Sequence, residues 1–182
     1  MKESKRTIVS VFGSSHPREG EPDYREAYEL GARLAATGFV VCNGGYGGVM
    51  EASARGAKSA RSVTIGVTCA SFSGSTPNKW IDEVVETVTL VDRLQKLVAL
   101  GDAYVVMKGG TGTLLELAAV WEFTTKGLMR SKPIVVLGAY WKPVIETLRV
   151  QLIHEGSIAA ARAILEAESP QQCIEILRTR LT

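Results

Sequence analysis

The chain is expected to fold as an α/β protein: a doubly wound parallel sheet with helices on both faces, in a single domain. Apolar runs of strand length alternate with helix-length amphipathic stretches from one end of the sequence to the other, the pattern of a parallel sheet connected through helices. The strand-length runs are almost continuously apolar rather than alternating, as befits strands buried on both faces. Finally, 182 residues suffice for one domain with a full core and leave little for a second.

The elements follow in order. Thr7–Phe12, rich in β-branched residues, reads as the first strand. Asp23 is read as an N-cap with Glu26 three residues on, opening a helix that places Tyr24, Ala27, Tyr28, Gly31, Leu34 and Ala35 on one face and stops at Gly38. Phe39–Cys42 is a second strand, followed by a glycine-rich turn and a helix to about Lys58. Val63–Val67 is a third strand, and the Ser/Gly/Pro-rich stretch Ala70–Lys79 a surface loop. Glu83–Thr89 is a short strand. Asp92 is read as the cap of the next helix, with Gln95 behind it. Ala103–Met107 is a strand, Thr113–Lys126 a helix and Ile134–Leu137 a strand, and Pro143 suits the first turn of a helix reaching about His154. Ala163–Ala167 is compatible with a last strand or a helix end. Ser169-Pro170 is a good cap and first-turn pair for a closing helix over 170–181. There is no internal repeat and no low-complexity segment.

Composition excludes several functions. A 46% apolar and 22% charged chain with net charge +2 has no basic bias of the kind that nucleic-acid binding requires. The apolar run Ile8–Phe12 is far shorter than the ~20 residues of a membrane span. Cys42, Cys69 and Cys173 are scattered, no CxxC occurs, and His16 and His154 are far apart, so neither a zinc site nor any cofactor is expected. The cysteines favour a reduced, cytoplasmic setting.

In a parallel sheet, ligands bind beyond the carboxyl ends of the strands. That edge should gather four loops: Gly13-Ser14-Ser15, Asn43–Gly48, the Leu90–Arg93 turn and Lys108–Thr113. The first lacks G-x-G-x-x-G, and no segment matches G-x-x-x-x-G-K-[ST], which disfavours an NAD-dependent oxidoreductase and an ordinary nucleoside triphosphatase. The second, NGGYGGVME, has Gly44, Gly45, Gly47 and Gly48, and Gly47-Gly48 open a helix that carries Met50. It is either a tight packing turn or a place where backbone approaches a ligand. The fourth, KGGTGTLLE, is free of large side chains at Gly109, Gly110 and Gly112. It adds the hydroxyls of Thr111 and Thr113 and ends at a helix start carrying a partial charge of ~+0.5, a phosphate-binding arrangement. Glu116 is then expected in the first helical turn. A first-turn acid can simply complement the helix dipole. This helix, however, is apolar almost all round, and Glu116 shares a face with Val120 and Phe123, so the carboxylate is expected to be paired or functional. Arg93, at the head of another helix on the same edge, is its candidate partner or a clamp on a phosphate or ribose.

GSS after the first strand, GGYGGVME after the second, Arg93 heading the third long helix and GGTGTLLE after Met107 together resemble the Lonely-guy (LOG) family over about Ile8 to Val144. That family comprises cytokinin-nucleoside 5′-monophosphate phosphoribohydrolases and bacterial relatives, often labelled lysine decarboxylases, although nothing here provides a pyridoxal-phosphate lysine. The resemblance implies a Rossmann-like homodimer that hydrolyses the N-glycosidic bond of an AMP-like nucleoside monophosphate. Glu116 and Arg93 would be its catalytic pair, and Gly109–Thr113, with Ser14, Ser15, Gly44, Gly45, Gly48 and Met50, would surround the phosphate and substrate. The apolar Leu114–Phe123 stretch also favours a dimer. The chain departs from the family pattern at Asn43 (usually Gly), Leu94 (usually Lys), Lys108 (usually Pro) and Thr111 (commonly Tyr). GGYGGVMEASARGA followed by TIGV is also similar to a sister group that includes molybdenum-cofactor carriers. The alternative to an enzyme is therefore a nucleotide or cofactor carrier using the same loops.

Overall fold

The computed structural model describes residues 6–72, 74 and 76–181. The opening MKESK and two serines of the Ala70–Lys79 loop, Ser73 and Ser75, lie outside these. Among the described residues a single sheet carries strands β1 (Ile8–Phe12), β2 (Val40–Asn43), β3 (Thr64–Cys69), β4 (Glu83–Thr87), β5 (Ala103–Val106), β6 (Ile134–Leu137) and β7 (Ile164–Ala167). Between and after them run helices α1 (Pro22–Ala36), α2 (Val49–Ser59), α3 (Leu90–Leu100), α4 (Thr111–Thr125), α5 (Lys142–His154), α6 (Ile158–Ala161) and α7 (Pro170–Leu181). The sheet order is β4-β3-β2-β1-β5-β6-β7, and every pairing is parallel. The doubly wound, Rossmann-like α/β architecture is thus present.

Strand alternation divides the core between the faces. Val9, Val11, Val41, Val105 and Leu137 pack with Leu30 and Leu34 of α1, Ala52 of α2 and Leu177 of α7. Phe12, Val40, Val67, Tyr104, Val106 and Val136 pack with Leu97 of α3, Leu117 and Val120 of α4 and Ile145 of α5. Because the chain winds from β1 outward to β4 and then restarts at β5 on the other side, β1 and β5 flank the point where strand order reverses. Their C-terminal loops are stitched together there, Ser14 N donating to the Lys108 carbonyl at 3.0 Å.

The ambiguous segment near Ala163–Ala167 is a strand, held by parallel pairing of Ile164–Ala167 to β6. The closing helix starts at Pro170, with the Ser169 hydroxyl accepting from Gln172 N. Three helix starts differ from expectation. α1 is capped by the backbone of Glu21 with Pro22 in its first turn, and Asp23 makes no cap. Proline's fixed φ and missing N–H favour this start, which leaves Asp23 to pair with Lys108 at 2.9 Å. For α3 the cap is Thr89, with Asp92 as the third residue of a reciprocal capping box: Thr89 Oγ1 accepts from Asp92 N, and Asp92 Oδ2 accepts from Thr89 N, both at 3.1 Å. The third such start bears on the site. α4 begins at Thr111 rather than Thr113, with Gly110 as N-cap, so Glu116 lies in its second turn. No described helix is long and apolar enough to cross a membrane.

Candidate functional site

Residues from all four expected loops converge on one cleft of about 470 Å³ above the β1–β5 switch point. Ser14, Ser15 and His16 come from the β1–α1 loop, Tyr46 from the β2–α2 turn and Met50 from the start of α2. Leu90, Arg93 and Leu94 come from α3, and Gly110, Thr111, Gly112, Thr113, Leu115 and Glu116 from the start of α4.

The floor is charged. Arg93 and Glu116 are 9% and 14% exposed, and Arg93 Nη1 lies 3.9 Å from Glu116 Oε1. That separation is longer than a hydrogen bond, so both groups keep a hydrogen-bonding edge toward the cleft. Burial pushes the Glu116 carboxyl up from 4.5 to about 7, and the Arg93 guanidinium opposes this only in part. The guanidinium is otherwise satisfied by backbone, Nε donating to the Val67 carbonyl at 2.8 Å and Nη2 to the Gly44 carbonyl at 3.1 Å. These bonds explain how a cation is tolerated at such burial.

One wall is the first turn of α4, the turn before Glu116. Gly110 is the N-cap, and Leu114 N is the first amide to bond back to it, at 3.0 Å. The amides of Thr111, Gly112 and Thr113 are therefore the free donors of the first turn. A Cβ at Gly110 or Gly112 would meet nothing within 4 Å, so backbone at both is open on the cleft side. An anion placed there gains these donors and the helix dipole.

The other expected residues sit behind the cleft and shape it. A side chain at Gly44 would overlap the Arg93 guanidinium, and one at Gly109 would overlap Thr113. Gly48, at φ +66° against the Ser14–Ser15 backbone, lets Val49 N donate to the Ser14 carbonyl at 2.8 Å. Gly45, at φ +79°, has its amide bound by Asn43 Oδ1 at 2.8 Å. Asn43 also donates to the Met50 carbonyl and Ser53 Oγ, so an amide side chain pins this turn from within. Lys108 turns outward to Asp23 and the Tyr140 ring.

The motifs assign no site role to His16, Tyr46, Phe72, Leu90 or Leu115, although Tyr46 and Leu90 lie in loops expected at this edge. Two carried a signal, Tyr46 as the one large residue in a glycine run and Phe72 as the lone aromatic of its loop. The leucines carried none, because a surface leucine and a cleft leucine look alike in sequence. Among the described residues no three His, Cys, Asp or Glu side chains cluster as a metal site would require.

Comparison with known proteins fits this geometry. The family model described as the SLOG cluster4 family matches residues 6–174. An uncharacterized protein of Archaeoglobus fulgidus is 34% identical over 118 residues, 65% of this chain and 77% of that one. The cytokinin riboside 5′-monophosphate phosphoribohydrolase of Mycobacterium tuberculosis is 32% identical over 133 residues, covering 71% and 69% of the two chains. Among solved structures, the molybdenum cofactor binding protein of Rippkaea orientalis superposes with a TM-score of 0.75 at 27% identity, covering 99% of this chain and 100% of that one.

Proposed function

Because the chain belongs to the SLOG cluster4 family, and to the LOG family that its sequence resembles, we propose that it hydrolyses the N-glycosidic bond of a nucleoside 5′-monophosphate. The products are the free base and ribose 5-phosphate. The observation that carries this reading is the pair on the cleft floor, a buried carboxyl held near neutrality beside a buried guanidinium, facing an open helix N-terminus.

The phosphate takes the amides of Thr111, Gly112 and Thr113 together with the hydroxyls of Ser14, Ser15 and Thr111. Held there, it fixes the sugar without touching the reacting carbon. The ribose lies over Glu116, one helical turn farther along α4, and the base points toward Leu90, Leu94, Leu115 and Phe72. As the C1′–N bond breaks, its electron pair leaves with the base and positive charge develops on the ribose. Ionised Glu116 stabilises that charge and takes a proton from the water attacking C1′. Arg93 Nη1 orients the ribose or the carboxylate, and the departing base acquires a proton from solvent or from water in the cleft. A pKa near 7 suits a base that must be ionised yet still accept a proton.

A second reading, a carrier that holds a phosphorylated cofactor without turnover, is favoured by the full-length match to the molybdenum cofactor binding protein. Incubation with AMP, CMP and GMP separates the two. Wild type is expected to release free base and ribose 5-phosphate, and Glu116→Ala to lose at least ~100-fold of that activity, the usual scale for a removed acid–base group. Binding without release in the wild type would establish the carrier.

We further propose a homodimer formed through α3, α4 and α5. These helices carry exposed Val91, Leu114, Val144, Leu148 and Ile153, whereas α1, α2 and α7 carry no large exposed apolar residue among those described.

A further inference from the structure

The Arg93 guanidinium sits in an aromatic corner. Its Cζ is 5.5 Å from the centre of the Tyr46 ring and 5.6 Å from that of Phe72, and the two rings are 5.8 Å apart at 50°. Both distances are within cation–π range. Tyr46 is held at both ends. Its backbone lies in the turn between Gly45 and Gly47, and its hydroxyl accepts from Cys69 N at 2.9 Å and donates to the Cys69 carbonyl at 3.3 Å. The two carbonyls that grip Arg93 belong to the same two segments, Gly44 in that turn and Val67 near the end of β3. Nε and Nη2 are thus taken up by backbone, and the guanidinium rests against the Tyr46 ring. Nη1 is left as the edge presented to Glu116 and the cleft.

We propose that Tyr46 is a positioning residue for the reaction: its ring holds the Arg93 guanidinium in the plane that directs Nη1 at Glu116. Phe72, reaching in from the Ala70–Lys79 loop, supports the same cation from the second side. Neither ring is required to touch the reacting atoms. The proposal rests on the phosphoribohydrolase reading for its kinetic consequence but not for its electrostatic one. The ionisable residues that line the cleft with Glu116 of α4 are Arg93 from α3, Tyr46 from the β2–α2 turn and His16 from the β1–α1 loop, and of these Arg93 is within 4 Å of its carboxylate. Arg93 is the charge that draws the Glu116 carboxyl downward.

The test compares Tyr46→Phe, which keeps the ring and loses the tie to Cys69, with Tyr46→Leu, which removes the ring. In the full chain with AMP as substrate, Tyr46→Leu is expected to lower kcat about tenfold with KM within about threefold, and Tyr46→Phe to stay within about threefold in both. In the substrate-free protein, a ¹³C NMR titration of the Glu116 carboxyl should move upward in Tyr46→Leu and stay near wild type in Tyr46→Phe. An unmoved titration in a folded Tyr46→Leu variant overturns the proposal, and so does an equal kinetic loss in both variants, which would assign the effect to the hydroxyl. If Tyr46→Leu fails to fold, Phe72→Leu carries the test, with the same upward movement expected and an unmoved titration overturning the proposal. Should the wild type release no base from any nucleotide, the catalytic reading fails by itself, and the titration still decides the role of Tyr46.

Discussion

Glu116 is where the physical chemistry is sharpest. Burial raises its pKa from 4.5 to about 7, so the folded state holds a proton that the unfolded chain releases more easily. The stability associated with that proton is fully present below pH 4.5 and is lost as the pH rises through about 7. Replacing Glu116 by Gln keeps the shape and removes the ionisation. The shift from 4.5 to about 7 corresponds to on the order of 3 kcal/mol. Urea denaturation should therefore show Glu116→Gln gaining on wild type by up to that amount between pH 4.5 and pH 8. Activity has the opposite sense: if the ionised carboxylate is the base, kcat/KM of wild type falls about tenfold per pH unit below 7. A carboxylate that destabilises the fold when ionised, and that the proposed reaction needs in that ionised form, is what functional burial of an acid predicts. Two of the family departures also resolve at this scale, because Asn43 uses its amide to brace the turn and Lys108 points away from the cleft.

At the scale of elements, the close crossing of α1 and α2 sets where the second glycine turn sits. A Cβ at Gly31 would overlap the Ser53 carbonyl, and one at Gly56 the Tyr28 carbonyl. Alanine in a helix interior ordinarily improves on glycine by roughly 1 kcal/mol. Here Gly31→Ala is expected instead to destabilise by about 1–3 kcal/mol, because backbone must move apart to admit the methyl group. Chemical denaturation reads this directly, and a stabilised variant would contradict the packing. The start of α4 is the other element-scale lesson. Glycine is a poor helix former, so the expected start fell after Gly112. The helix nevertheless runs from Thr111, since Gly110 caps it and open space at Gly112 costs nothing in packing. Two residues of difference carry Glu116 from the first turn to the second, away from the amides that would hold the phosphate.

For the molecule as a whole, the uneven distribution of apolar surface is the main unfinished business. Helices α1, α2 and α7 have no large exposed apolar residue among those described, and α3, α4 and α5 have several. Sedimentation velocity is expected to show a species of twice the chain mass. Leu148→Glu, on the exposed part of α5, should shift it toward one chain mass with unchanged circular dichroism. A monomeric wild type would leave that surface without the partner proposed for it.

Strand–helix alternation, continuously apolar strands and the punctuation of glycine and proline are local properties, and they were enough to read the α/β class, nearly every element and the sheet edge that carries the cleft. The motif GGTGTLLE and the upstream Arg93 were legible for the same reason, since spacing along a chain is visible without a fold. The lateral order of the strands was not legible, because it depends on which apolar faces meet across loops. Nor was the 3.9 Å approach of Arg93 to Glu116, two residues 23 positions apart in sequence, or the enclosure that lifts the carboxyl toward neutrality. Local sequence also could not tell which glycines face the cleft and which make room for neighbours. Gly110 and Gly112 open onto the cleft while Gly44 and Gly109 yield to Arg93 and Thr113, a distinction that exists only once the segments are packed. Tertiary structure decided these points because burial, pairing and steric room are properties of what surrounds a residue, and most of those surroundings come from elsewhere in the chain.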